Sequence, residues 1–252
     1  MSTKQVNSVV KAIELLECFT DPRIDWTLKT LVEHLNLPKT TVYRMLSTLV
    51  DIDYLIVDPV RKTYHVGPNF LMLASCVSGQ SDFRIACRPE LEKLSASINE
   101  SAALSKLSGI NMYYLDFVEP DRPLLTTTKS GPIVPAHLTS GGKVLLSEQS
   151  ESFLEKYYAL LPGMEAPTSN SIRTKEALQE ELKKIRSNGY SIDNEEIEEG
   201  LCCIAAPVRD RNGSVVAAIS ISGPAVRVRE RMNDYRAKVI QSAHNLSVML
   251  GY

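Results

Sequence analysis

Apolar positions between residues 28 and 49 recur with the period of an α-helix, in two separate runs. Each run places apolar residues at i, i+3, i+4 and i+7, one face of a helix; the runs are Leu28, Leu31, Val32 and Leu35, then Val42, Met45, Leu46 and Leu49. Asn36, Leu37 and Pro38 separate them; Asn tolerates the left-handed end of a helix and Pro suits a first turn. Two short helices with a three-residue joint predict a helix-turn-helix.

Strand-forming residues follow the second of these helices. Residues 54–57 and 63–66 are rich in β-branched and aromatic side chains, and the turn-forming segment 58–62 lies between them. Arg61 and Lys62 fall at the tip of this hairpin. The pattern predicts the wing of a winged helix-turn-helix, whose cations reach backbone phosphates or the minor groove.

The second helix has a polar face suited to duplex DNA. If its apolar stripe faces the core, the remaining side chains lie outside or on the flanks: Lys39, Thr40, Thr41, Tyr43, Arg44, Ser47 and Thr48. Short hydroxyls near bases and phosphates, with an Arg able to make two hydrogen bonds to guanine, are what a recognition helix needs. For the two helices alone, an ordinary solvated helix face is the alternative.

Charge limits how strongly one copy of this unit can bind DNA. Residues 1–66 contain eight Lys and Arg and eight Asp and Glu, and the whole chain carries a formal net charge of −2. The basic footprint expected of a strong nucleic-acid binder is therefore missing. We expect the cations to cluster on one surface, and two copies to bind paired half-sites.

Elements on either side of the helix-turn-helix are also predicted. A first helix is expected to begin near Asn7 or Ser8, either of which can cap it, with an inner stripe of Val9, Ala12, Ile13 and Leu16. A linker helix from Asn69 to Ser78 and a polar junction follow the wing. We expect a DNA-binding domain over residues 1–68, a linker over 69–85 and a second domain over 86–252.

The second domain alternates between helix and strand signals. Strands are predicted over 102–107, 112–118, 124–129, 204–209 and 215–222, and helices over 88–98, 141–146, 152–160, 174–188 and 232–250. Pro89 is expected at the start of its helix, and Pro207 at a sheet edge or bulge. Asn212-Gly213 predicts a hairpin between the strands over 204–209 and 215–222. Together the elements predict an α+β fold, with helices packed on a mixed sheet.

Two features of this domain suit a small ligand. Ser220 and Ser222 lie two apart on an apolar strand, so both hydroxyls point to one face; they form either the floor of a ligand site or a self-satisfied pair. Gly141 and Gly142 stand at a helix start, where open N–H groups and the helix dipole favour a carboxylate. A plain turn is the alternative for the two glycines.

Other candidate residues carry weaker signals. Asp193 begins an acid-rich run, which is usually a solvated loop. Cys202 and Cys203 lack a second cysteine pair or a histidine at ligand spacing, so burial as small apolar residues is favoured over a metal or redox role. No nucleophile elbow, phosphate-binding loop or zinc-protease motif is present. An enzyme, a metal site and a cofactor are therefore not expected.

Composition supports an intracellular protein with a proper core. The chain has 252 residues, 44% of them hydrophobic, enough for two domains. No apolar run approaches the ~18 residues of a membrane helix, and the first residues lack a secretory signal. Five scattered cysteines suit a reducing compartment. We expect a cytoplasmic protein without membrane partners.

These residues together resemble the IclR family of bacterial transcriptional regulators, over nearly the whole chain. The N-terminal motifs are residues 8–16 (Ser-Val-Val-Lys-Ala-Ile-Glu-Leu-Leu), 37–46 (Leu-Pro-Lys-Thr-Thr-Val-Tyr-Arg-Met-Leu) and 64–67 (Tyr-His-Val-Gly). The C-terminal motifs are residues 137–143, 189–196, 200–208 and 217–224. The last two, in this order, are the most specific. Two residues depart from the family pattern: Ser140 stands where the family usually has Ala, and Val144 stands where a small residue is common.

The resemblance implies a winged helix-turn-helix, a linker helix and a GAF-like effector-binding domain. It implies a homodimer or tetramer that binds operators and controls catabolic genes in response to a small effector, commonly an organic acid, a sugar acid or an aromatic compound. Carried over by motif, the effector site comprises Gly141, Gly142, Asp193, Leu201, Cys203, Ser220 and Ser222.

Two rival functions remain at this point. An enzyme needs a nucleophile and a base, and Cys203 with His137 is the pair the sequence offers. A redox or soft-metal sensor would use Cys202 and Cys203. Both rank below a ligand-responsive regulator.

Overall fold

The computed structural model describes residues 6–20, 24–77, 81–120 and 133–252. The chain divides into two compact units, Met1–Asp82 and Phe83–Tyr252. No helix in the described part of the chain is both long and apolar enough to span a bilayer.

The first unit is a helix-turn-helix with a small sheet. Its elements are α1 (Asn7–Glu17), β1 (Trp26–Thr27), α2 (Leu28–Leu35), α3 (Lys39–Asp51), β2 (Leu55–Val57), β3 (Thr63–Val66) and α4 (Asn69–Val77). The three strands are antiparallel in the order β1-β3-β2. The fully buried core consists of Leu15, Leu31, Val42, Leu46 and Leu55, with Trp26 beside them.

Local chemistry sets the bounds of the two central helices as the sequence predicts. Thr27 and Thr30 form a reciprocal capping box at the start of α2, which satisfies two backbone donors that have no partner in the helix. Asn36 ends α2 in the left-handed conformation, with φ 49°, and Pro38 precedes α3. The winged helix-turn-helix is therefore confirmed.

The first helix differs from expectation. It begins at Asn7, but the N-cap position is Val6 and no side chain caps it. The predicted inner stripe is wrong at Val9 and Ile13, which are 58% and 50% exposed, whereas Leu15 is fully buried. α1 has two apolar faces, and periodicity alone does not tell which of them packs on the core.

The second unit is built on one six-stranded sheet. Its strands are β4 (Ser101–Ser108), β5 (Asn111–Val118), β6 (Ile133–Pro135), β7 (Ser191–Asn194), β8 (Leu201–Arg209) and β9 (Val215–Pro224). The order is β6-β5-β4-β9-β8-β7, and every pair is antiparallel. The expectation of a mixed sheet is therefore wrong, because the described strands contain no parallel pair. The predicted strand over 124–129 lies outside the described residues.

Helices cover both faces of this sheet. They are α5 (Ser81–Ile98), α6 (Ser140–Ser147), α7 (Glu151–Leu160), α8 (Lys175–Asn188), α9 (Ala225–Glu230) and α10 (Met232–Met249). One core joins α5, α9 and α10 to one face, and a second core joins α6, α7 and α8 to the other. The α+β fold class is confirmed.

Two prolines illustrate the limits of local signals. Pro89 lies inside α5, so the prediction that the helix starts there is wrong. Proline removes one hydrogen bond of a helix without always ending it, and residues on both sides, such as Phe83 and Leu91, pack on the same core. Pro207 lies on β8 beyond the end of β7, which pairs only as far as Ala205, so its position at a sheet edge is confirmed.

Candidate nucleic-acid interface and ligand cavity

The polar face of α3 is open to solvent. Lys39, Thr40, Tyr43 and Arg44 are exposed, and Thr41 and Ser47 are half-buried at the flanks. Val42 and Leu46, on the opposite face, are fully buried. The Thr48 hydroxyl donates to the carbonyl oxygen of Arg44 at 2.8 Å, so it is engaged within the helix.

The wing tip is a tight turn that presents two cations. The Asp58 carboxylate accepts the N–H groups of Val60 at 2.7 Å and Arg61 at 2.9 Å, and these bonds lower the pKa of Asp58. Lys62 has φ 57°, in the left-handed region. Arg61 and Lys62 are both exposed, as the wing prediction requires.

A groove of about 460 Å³ runs beside α3, between it and α1. Its lining includes Thr41 and Arg44 together with Lys11 on α1. Sequence reasoning did not select Lys11, because a single Lys on an amphipathic helix carries no distinguishing pattern. The structure places Lys11 as a second cation beside Arg44 in this groove.

A second cavity lies inside the other unit, against the start of α6. Six of the seven residues expected at the effector site line it: Gly141, Asp193, Leu201, Cys203, Ser220 and Ser222. The other lining residues are Ala103, Met112, Tyr114, Thr139, Ser140 and Ile197. Met112 and Tyr114 are two apart on β5, so strand alternation would have grouped them had the inward face been known.

Gly142 does not line the cavity. Its N–H donates to the Thr139 hydroxyl at 3.0 Å, so it is not available to a ligand. A Cβ atom at Gly142 would lie 2.2 Å from the carbonyl oxygen of Ala136. This glycine is explained by the close approach of two backbone segments.

Gly141 has a different role at the same helix start. A Cβ atom there would lie 2.7 Å from the Ser105 hydroxyl and 3.0 Å from the Met112 sulfur, so glycine lets α6 approach the sheet. The N–H groups of Ser140 and Gly141 have no acceptor within the helix, since the first turn lacks one. They are the donors that the helix start can offer to a ligand.

Asp193 is the one acid among the described residues that line the cavity, and its pKa departs from the usual value. It is fully buried, and one carboxylate oxygen accepts the N–H of Glu196 at 2.8 Å. Among the described residues, no hydrogen bond of normal geometry reaches the other oxygen, Oδ2, and the Cys203 thiol beside the carboxyl favours its charged form. Burial, chiefly, raises the pKa of Asp193 to about 7. A buried acceptor without a partner calls for a donor from a ligand or from water.

Lys143 connects the helix start to the segment around Asp193. Its ammonium is fully buried and donates to the carbonyl oxygen of Ile192 at 2.7 Å and to the carboxylate of Glu196. Glu181 lies 3.4 Å away. Lys143 is not among the cavity-lining residues, so its role is to hold the elements that form the site.

The free space in the cavity is small. It amounts to about 20 Å³, room for about one water molecule. Sites for small organic ligands usually enclose ~300 Å³ or more. A wall must move before an organic molecule fits.

The geometry argues against both rival functions. His137 does not line the cavity and pairs with the Tyr157 hydroxyl, 3.1 Å from its Nδ1, so it does not serve Cys203 as a base. Burial raises the pKa of Cys202 to about 11 and that of Cys203 well above its usual value, which leaves little reactive thiolate. No metal-holding group of His, Cys, Asp and Glu occurs in the described part of the chain.

Protein-family models match both units. The model for the "IclR helix-turn-helix domain" matches residues 8–59, and the model for "Bacterial transcriptional regulator IclR C-terminal" matches residues 76–248. The chain is 29% identical over 250 residues to the HTH-type transcriptional regulator XynR of Escherichia coli, covering 98% of each chain.

Solved structures have the same fold. IclR of Thermotoga maritima superposes with a TM-score of 0.75 at 28% identity, covering 98% of this chain and 100% of that one. An IclR homologue from Microbacterium hydrocarbonoxydans, solved in complex with 4-hydroxybenzoate, has a TM-score of 0.80 at 21% identity, covering 96% and 98%. The relatives are named as transcriptional regulators, not enzymes. The chain is therefore a DNA-binding regulator with a C-terminal effector-binding domain, and it belongs to the IclR family.

Proposed function

We propose that a small organic or sugar acid binds in the cavity beside α6 and changes the affinity of this regulator for its operator. The cavity itself carries the proposal: it combines N–H donors at a helix start with an unpartnered buried acceptor on Asp193. A carboxylate suits the donors, and a hydroxyl on the same molecule suits the acceptor. The 4-hydroxybenzoate bound by a homologue of the same fold supports an acid of this size.

On the DNA side, α3 enters the major groove with Arg44 directed at base edges, and the wing contacts the backbone through Arg61 and Lys62. Their exposure supports this arrangement. The remaining interface residues are Lys39, Thr40, Thr41, Tyr43 and Ser47. The effector acts by favouring one arrangement of the two DNA-binding units over another, with residues 69–85 as the link.

The DNA-bound form is a homodimer or a tetramer. α1 carries apolar side chains at i, i+3, i+4 and i+7 that are exposed in the single chain: Val6, Val9, Val10 and Ile13. A helix face of this kind is a seam for a second helix. Two copies would also supply the paired half-site contacts that a unit with balanced charge requires.

Because organic and sugar acids are carbon sources, the regulated genes are proposed to be catabolic. A thermal-shift series with D-gluconate, glyoxylate and 4-hydroxybenzoate, followed by gel shifts on DNA flanking its gene, tests the proposal. We expect at least one acid to raise the melting temperature and to alter the gel shift. An acid that stabilises the protein without altering DNA binding would contradict the coupling.

A further inference from the structure

The turn between β7 and β8 forms one wall of the effector cavity. Residues 195–200 lie between the two strands, and Ile197 within the turn lines the cavity beside Leu201. Two of its residues have left-handed backbones, Glu195 with φ 62° and Gly200 with φ 82°. The N–H of Glu195 donates to the carbonyl oxygen of Leu201 at 3.0 Å, which closes the base of the turn.

The other described walls are fixed more firmly. β4, β8 and β9 are paired with a strand on both sides at their cavity-lining residues, except at Leu201, which pairs with β9 alone. All eight residues of α6 are buried. Tight packing on both sides makes such elements costly to displace, whereas a surface turn opens at low free energy.

One surface arginine holds this turn from outside. Arg229 on α9 donates to the side-chain oxygen of Asn194 at 2.8 Å and to the carboxylate of Glu195. The N–H of Gly200 and then Arg229 lower the pKa of Glu195, so its carboxylate is charged at neutral pH. Arg229 is 46% exposed on its side chain, so this contact breaks without exposing a buried charge.

Further contacts anchor the turn from inside. The hydroxyls of Thr168 and Ser171 donate to the carbonyl oxygens of Glu195 and Glu196, each at 2.6 Å. Lys143 holds the Glu196 carboxylate. These partners are buried or half-buried, so the Arg229 contact is the most accessible of the set.

We propose that residues 195–200 are the entrance lid of the effector cavity and that Arg229 is its latch. The identity of the cavity as the effector site rests on the proposed function, but the opening motion does not. A cavity with room for about one water molecule admits an organic acid only through an opened wall. The Arg229–Glu195 pair is the accessible one of the contacts that break when that wall opens, so weakening it raises the frequency of opening.

A latch has a kinetic signature that a ligand contact lacks. If the lid is closed both before and after binding, weakening the latch raises the rates of entry and release by the same factor. The dissociation constant then stays unchanged, because closed free and closed bound states are affected equally. A residue that touches the ligand changes mainly the release rate and the affinity.

The Cys203 thiol reports opening without any effector. It lines the cavity under the lid and is half-buried while the lid is closed, so opening of the lid increases the access of iodoacetamide to the thiol. We expect Arg229→Ala to speed alkylation of Cys203 about three- to fivefold, which corresponds to the free energy of an exposed ion pair. The rate is measured on the full chain by peptide mass spectrometry. Cys18, in the other unit and half-buried, serves as the internal reference and keeps its rate.

Two further variants guard against a general loss of stability. Glu195→Gln removes the charge but keeps an oxygen for the Gly200 N–H, and we expect it to speed Cys203 alkylation as well. Arg209→Ala removes a partly exposed arginine–glutamate pair at the other end of β8 and should leave the rate unchanged. Equal rates in wild type and both lid variants, or equal acceleration by Arg209→Ala, would overturn the latch.

Binding kinetics then separate this inference from the proposed function. The binding and release of an acid identified by thermal shift are followed by stopped-flow fluorescence in wild type and Arg229→Ala. Entry and release accelerated together support the latch, and a changed affinity with an unchanged entry rate contradicts it. Failure of every acid to bind would contradict the proposed effector class and leave the Cys203 result standing.

Discussion

Asp193 on β7 and Cys203 on β8 are directly opposite residues of an antiparallel pair, and both line the same cavity. Cys203 in turn lies opposite Ser222 on β9. Three adjacent strands therefore contribute a carboxyl, a thiol and a hydroxyl in one row. The row forms a polar floor beside the start of α6.

The raised pKa of Asp193 predicts a pH-dependent cost of folding. The carboxyl titrates near 7 in the folded chain and near 3.9 when unfolded, so between these values the folded state holds the extra proton. Stability therefore falls as the pH rises through this window. Asp193→Asn should remove about 3 kcal/mol of the loss between pH 5 and pH 8. Urea unfolding of wild type and Asp193→Asn at both pH values measures the free energy of unfolding. An equal loss between pH 5 and pH 8 in the two proteins would refute the prediction.

Ser222→Ala should abolish the response to the effector while sparing operator binding. Ser222 lines the cavity in the second unit, whereas the DNA-binding residues belong to the first. A gel shift with and without the stabilising acid gives the readout. Release of DNA by the acid in the variant, at wild-type concentrations, would remove Ser222 from the site.

Arg44 and Lys62 should affect DNA binding in different ways. Arg44→Ala should cost ~1–3 kcal/mol on the preferred operator and relax base preference, because a bidentate base contact is lost. Lys62→Ala should weaken binding to all sequences and lower the salt slope by about one unit. Salt titrations on the operator and on a scrambled duplex distinguish the two. Wild-type behaviour of both variants would contradict the docking of α3 and the wing.

The two neighbouring glycines should respond differently to alanine. Gly142→Ala places a Cβ against the Ala136 backbone, and overpacking of this kind costs ~1–3 kcal/mol. Gly141→Ala meets side chains, those of Ser105 and the flexible Met112, and a side chain can move where backbone cannot; the ~1 kcal/mol helix preference of Ala over Gly applies to both variants. Urea unfolding should rank Gly142→Ala as the less stable variant. The reverse order would show that the backbone at Ala136 shifts to accommodate the added methyl group.

A charge on α1 should separate the copies. Ile13 is half exposed in the single chain, and Ile13→Asp would bury a carboxylate in the proposed seam, which costs several kcal/mol. We expect light scattering to give a smaller assembly and the gel shift to weaken. Ile24→Asp, at a similarly exposed isoleucine outside the stripe, is the matched control. An unchanged assembly for Ile13→Asp would place the interface elsewhere.

Local patterns predicted the elements that are bounded by local chemistry. The Asn36 and Pro38 joint, the wing and the Asn212-Gly213 hairpin all have their cause within a few residues. The choice of face on α1 and the continuation of α5 through Pro89 depend on tertiary packing, which a periodic pattern does not contain. The all-antiparallel sheet depends on which strands meet across long separations, such as β4 beside β9.

The residues of the candidate cavity also divide into those that sequence patterns predict and those that only tertiary packing places. Ser220 and Ser222 followed from strand alternation, and Asp193, Leu201 and Cys203 from family motifs. Tyr114 and Ile197 were missed because nothing in their neighbourhood marks them as inward-facing. Gly142 was grouped with Gly141 because adjacent residues at a helix start look alike in sequence. Their tertiary neighbours separate them, since Gly142 lies against the Ala136 backbone and Gly141 against the Ser105 and Met112 side chains.

The cavity draws its walls from segments as far apart in the chain as Ala103 and Ser222. Such a site exists only while the whole domain is folded, so an occupant favours the folded form by mass action. Proteases degrade the unfolded population. The cellular half-life of the regulator should therefore lengthen whenever its effector accumulates, which adds a slow memory to the fast change in DNA binding.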